Sequence, residues 1–125
     1  MKNGTVFKKD ILERTVNYSL RIVELYRELE KDNVGRVLGK QLLRSGTAIG
    51  ANIHEAQGGQ SRADFIAKMS IAQKEALESA YWLRLIKEMN LISATAMDGL
   101  SVETEELVKI LSSILITSKY GRQKI

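Results

Sequence analysis

The chain contains no proline and no cysteine. Proline removes a backbone donor and clashes with the preceding helical turn, so its absence leaves long helices uninterrupted. Without cysteine there is no disulfide framework, no thiolate chemistry and no cysteine metal site, which leans towards a reducing cytoplasm. Histidine occurs once, as His54, so no second imidazole can complete a metal site. No stretch approaches the ~18 apolar residues that span a bilayer. The first residues, MKNGTVFKKDILERT, interrupt their apolar positions with charge at once and do not read as a signal peptide. A cytoplasmic protein with no membrane partner is expected.

What is present fits one folded domain over residues 1–125. The charged fraction of 27% sits beside a hydrophobic fraction of 44%, which argues against disorder. The net charge of +4 is modest, and acidic residues are interleaved almost throughout. A dedicated nucleic-acid module shows a denser basic stripe. The balance allows phosphate attraction and indicates nothing stronger.

Apolar residues recur at helical spacing in four stretches. The first predicted helix covers about residues 5–31, with Phe7, Ile11, Thr15, Tyr18, Ile22, Leu25 and Leu29 on one stripe. A second stripe (Leu12, Val16, Ser19 or Leu20, Val23 and Tyr26) lies beside it. A peripheral bundle helix needs only about 100° of apolar arc. The excess width predicts burial against another subunit. The second helix, 34–57, follows a turn at Lys31-Asp32-Asn33 and ends at Gly58-Gly59, where glycine suits a left-handed C-terminus. Ser61 caps the third, 62–90, whose seam runs Phe65, Met69, Ala72, Ala76, Ala80 or Ser79, Leu83 and Ile86. The aromatic pair Tyr81 and Trp82 lies off that seam and packs either on a bundle neighbour or at an interface. The fourth helix, 95–118, is expected to start near Thr95, with Ser101 as the alternative cap, Leu100, Leu107, Leu111, Ile114 and Leu115 inward and a frayed basic tail from Gly121. Short loops make the helices alternate in direction. The predicted fold is all-α, an antiparallel up-down-up-down four-helix bundle.

The segment from Leu38 to Arg62, LGKQLLRSGTAIGANIHEAQGGQSR, organises the rest. Gly39, Gly46 and Gly50 share one face although each interior glycine costs roughly 1 kcal/mol relative to alanine. A close helix crossing is the reason expected, with the alanines of the third helix opposite. The segment also suggests chemistry, which fails on inspection. His54-Glu55 begins the zinc motif HExxH, but residue 58 is glycine. Gly35 to Gly39-Lys40 misspaces a phosphate loop, and Gln41 replaces the hydroxyl that would hold magnesium. Ser45 has no base in reach, because His54 lies nine residues away on the same helix. Glu55, Glu75 and Glu78 lack the Glu-x-x-His pairs of a two-metal bundle. They are expected to pair with Arg44, Arg62 or Lys74. No catalytic, cofactor or metal residue is assigned, and no small-molecule substrate is identified. Arg36, Lys40 and Arg44 recur every four residues along one edge, and Lys68 extends the row. These four are the candidate nucleic-acid contacts, since such a ridge can follow phosphates by counterion release.

The run QLLRSGTAIGANIHEAQGGQSRADFIAKMSIAQKEALESAYWLRLI closely resembles the bacterial four helix bundle proteins, also called the ribosomal RNA intervening-sequence (S23) family. The marks are Arg44-Ser45-Gly46, Ile49-Gly50-Ala51-Asn52-Ile53, Glu55, Phe65, Ile71-Ala72, Glu75 and Glu78. His54 stands where the family commonly has a small residue. The resemblance implies an all-α bundle and a homo-oligomer, a five-membered ring being one form. It also implies a gene type found inside insertions in large-subunit ribosomal RNA genes. The family is similar to the accessory protein of diversity-generating retroelements, a basic ring associated with nucleic acid. The roles that follow are a non-enzymatic oligomeric scaffold or interaction protein, or an accessory protein that binds RNA or DNA.

Overall fold

A computed structural model describes the backbone of residues 2–121 and the side chains of residues 10–121. The expected tail lies, beyond Gly121, outside the described residues. Helix α1 spans Lys2–Leu29, α2 Asn33–Gln57, α3 Arg62–Glu88 and α4 Ala94–Tyr120. Consecutive helices pack side by side, and α1 and α4 close the bundle more loosely. The pairs α1/α3 and α2/α4 lie across its diagonals, with their backbones held apart. The predicted all-α four-helix bundle is the observed architecture.

The helix ends are chosen by short polar side chains. Asp32 accepts from the amides of Val34 and Gly35 at 3.0 and 2.9 Å, satisfying two donors that an unpaired helix start would leave orphaned. Ser61 accepts from the Asp64 amide at 3.1 Å. The fourth helix starts earlier than expected. Ser93, not Thr95, is its cap and accepts from the Ala96 amide at 3.4 Å. The end of α2 is also different. Gly58 has φ −94°, and no glycine among the described residues has positive φ. The left-handed residue is Asn90 at φ 57°, just past α3. Asparagine tolerates that conformation because its short side chain can bond locally.

The core fills from the predicted stripes. Ile11, Tyr18, Ile22 and Leu29 of α1 are buried with Leu42, Ile49 and Ile53 of α2. Met69, Ala72, Ala76, Leu83 and Ile86 of α3 and Leu100, Leu107, Leu111 and Leu115 of α4 complete it. Five buried hydroxyls sit within this apolar volume, two of them (Thr15 and Tyr18) on α1 and one on each other helix. Ser45 and Ser79 lie 2.8 Å apart, and Tyr18 and Thr104 lie 2.6 Å apart. Thr104 also donates to the Leu100 carbonyl at 2.7 Å. No buried side-chain polar atom among the described residues lacks a partner. A fully satisfied polar set inside a core fixes helix register, because slipping one helix would strand a hydroxyl.

The glycine row corrects an expectation. A methyl group at Gly39 would lie 3.0 Å from Tyr26, one at Gly46 3.0 Å from Ile22, and one at Gly50 3.1 Å from Thr15. All three neighbours belong to α1, so the row faces α1 and not the alanines of α3. Successive residues point about 100° apart around a helix. Ser45 therefore meets Ser79 of α3 while Gly46, one residue on, receives Ile22 of α1.

Candidate functional site

The polar residues of the organising segment meet α3 along one exposed seam. The Arg44 guanidinium grips Glu75 through both nitrogens, at 3.2 and 3.1 Å, and donates to Glu78 at 2.7 Å. Trp82 Nε1 donates to that same Glu78 oxygen at 3.0 Å. The charges tune each other. The carboxylates raise the Arg44 pKa, Glu75 most and Glu78 next. The Trp82 donor, and then Arg44, hold Glu78 below its ordinary value. A carboxylate held ionised in this way is a poor general acid. The forked geometry locks α2 against α3 and adds more specificity than energy, since exposed pairs contribute only about 0–1 kcal/mol.

Glu55 ends the same seam with a 2.8 Å ion pair to Lys68. Of the expected cation partners, Arg44 is used, whereas Arg62 turns instead to the Ser118 carbonyl of α4. Asn52 is spent within its own helix, donating to the Ala48 carbonyl at 2.8 Å. His54 Nε2 lies 3.2 Å from the Leu12 carbonyl and so ties α2 to α1. Among the described residues no three His, Cys, Asp or Glu side chains are grouped to hold a metal. Among the described residues no helix is long and apolar enough to cross a membrane.

The basic ridge divides. Arg44 and Lys68 are engaged by carboxylates. Arg36 accepts no ion pair and donates only to Asn33 at 3.2 Å, and Lys40 has no polar partner among the described residues. Two exposed cations, one turn apart, thus remain on α2.

Two features escaped the sequence reading. Arg14 and Glu103 form a forked pair between α1 and α4, at 3.0 and 2.8 Å. Beside it runs an open groove of about 430 Å³, lined by Leu20, Leu25, Ile92 and Leu100 with Arg21 and Glu24. Neither leaves a local signal, because α1 and α4 are the most distant helices in sequence. A smaller notch of about 280 Å³ lies between α1 and α2, lined by Val16, Ser19 and Leu20 with Gly50 and Ala51.

A sequence model of the 23S rRNA-intervening sequence protein family matches residues 8–113. A crystal structure from Bacteroides thetaiotaomicron VPI-5482, described as a protein with unknown function from the S23 ribosomal protein family, superposes with a TM-score of 0.80. The two are 43% identical, over 84% of this chain and 97% of that one. No curated protein matches the chain. The chain belongs to the 23S rRNA-intervening sequence protein family.

Proposed function

We propose that the chain is a non-enzymatic helical-bundle scaffold or interaction protein that assembles with copies of itself. The observation that carries this reading is the second stripe of α1. Val16 is 43% exposed and Leu20 59% exposed, although the bundle core is already complete without them. Adjacent apolar side chains of that size, left in water beside a notch, mark a surface built for contact. Static light scattering at micromolar concentration tests it. A multiple of the 14.0 kDa chain mass is expected, and a monomer overturns the reading.

A second reading is favoured by Arg36 and Lys40, the two cations of the ridge that pair with no carboxylate among the described residues. In this reading the protein is an accessory factor that holds RNA or DNA phosphates along α2. Binding of mixed RNA at low salt by the wild type and a charge-reversed ridge decides it.

A further inference from the structure

We infer that self-association joins the outer face of α1 in one copy to the outer face of α3 in the next, with the two helices parallel and in one register. The inference rests on the self-association reading and names the surface that performs it.

The two faces carry the same spacing. On α1 the outward positions are Glu13, Val16, Leu20, Val23 and Arg27, separated by steps of three and four. On α3 the outward positions are Lys74, Leu77, Tyr81, Arg84 and Glu88, with the same steps in the same order. This is the heptad spacing that brings two helices together along a seam. Set side by side in parallel, Glu13 meets Lys74 and Arg27 meets Glu88. Val16 meets Leu77 and Leu20 meets Tyr81. Both ends of the seam therefore pair opposite charges, and the centre is apolar. Val23 lies along the stem of Arg84, whose head can reach the neighbouring Glu24.

The exposures agree with a contact that the isolated bundle leaves unmade. Leu77 is 55% exposed and Tyr81 57% exposed, comparable to Val16 and Leu20 on the other face. Glu13, Arg27 and Lys74 form no ion pair among the described residues. Among the described residues the one intrahelical ion pair on either stripe is Arg84 with Glu88, at 4.0 Å and with both side chains more than two-thirds exposed. Shape agrees as well. The notch beside Leu20 is lined by the small residues Ser19, Gly50 and Ala51, and Tyr81 is the large knob on the other face.

Topology makes this contact repeatable. In an up-down-up-down bundle α1 and α3 run the same way, and here they occupy one diagonal. A rotation about an axis along the bundle carries α3 of one copy to α1 of the next without reversing either helix. Such a head-to-tail contact closes into a ring when the rotation closes. A two-fold contact of α1 with itself would also pair Glu13 with Arg27, but it leaves the Leu77–Tyr81 face in water.

The absence of cysteine gives a clean test. Leu20→Cys and Tyr81→Cys are made singly and together, and each is treated with a short bis-maleimide. The double variant is expected to give a covalent ladder. The single variants are expected to give none alone and covalent dimers when co-assembled. Loss of assembly in a single variant that keeps the wild-type melting temperature also supports the contact. Self-cross-linking of Leu20→Cys alone overturns the register in favour of the two-fold arrangement. No cross-link in samples that scattering shows to be assembled places the contact elsewhere. A monomeric wild type instead removes the self-association reading itself.

Discussion

The Tyr18 hydroxyl lies 2.6 Å from that of Thr104, on a ring only 1% exposed. Burial pushes its pKa from the ordinary 10.0 up to about 12, against the opposing effect of the Thr104 and Ser79 hydroxyls. The folded chain therefore holds this proton more tightly than the unfolded chain does. The resulting stabilisation is intact below pH 10 and is lost as pH rises through about 12. Two pKa units correspond to about 3 kcal/mol at most. Lysines titrate over the same range, so the informative quantity is a difference. Tyr18→Phe should cost about 1 kcal/mol near neutrality, from the lost hydrogen bond. Between pH 9 and 12 it should then lose less stability than the wild type. Urea unfolding at several pH values measures this, and parallel curves for the two proteins would show that Tyr18 ionises freely in the fold.

Helix α2 shows how much an element discloses in advance. A side chain at Gly50 would strike Thr15 of α1, whose Cβ lies 3.1 Å from the position of an added methyl and whose carbonyl oxygen lies 3.4 Å away. Gly50→Leu should push α1 off α2 and destabilise the protein by about 1–3 kcal/mol, as overpacking does. An unchanged melting temperature would show that the crossing can open without cost. That glycines mark a close approach was legible from sequence, because nothing else offsets their helix penalty. Which neighbour they approach was not. Small residues on α2 and small residues on α3 look like natural partners, yet the packing sets Gly39 against Tyr26 and Gly46 against Ile22. Volume is complemented large to small, and a one-dimensional pattern carries no record of which large residue fills which hole. The same distinction governs the polar residues. Arg44 with Glu75 and Glu78 was visible as a possible ion-pair set through residue type and helical spacing. Thr104 was missed because a threonine on an amphipathic helix gives no sign that a buried phenol awaits it.

Charge, viewed over the whole molecule, bears on the second functional reading. The ridge contains Arg36, Lys40, Arg44 and Lys68, but Arg44 faces two carboxylates and Lys68 one. Within the ridge, only Arg36 and Lys40 can neutralise phosphates without first breaking an ion pair among the described residues. If the ridge binds nucleic acid, Arg36→Glu with Lys40→Glu should remove most of the low-salt binding to mixed RNA. Each lost contact with single-stranded RNA should also reduce the slope of log affinity against log salt by about 0.7, or roughly 1.4 for the pair. Adding Arg44→Glu gathers three carboxylates at one place and loosens α2 from α3, so the triple variant needs a melting curve beside its binding curve. A double variant that folds normally and binds as the wild type does would remove the ridge from the problem. Neither position belongs to the α1 and α3 faces, so the same double variant should assemble as the wild type does. Fluorescence anisotropy with a labelled RNA and light scattering on the same samples thus separate phosphate binding from self-association.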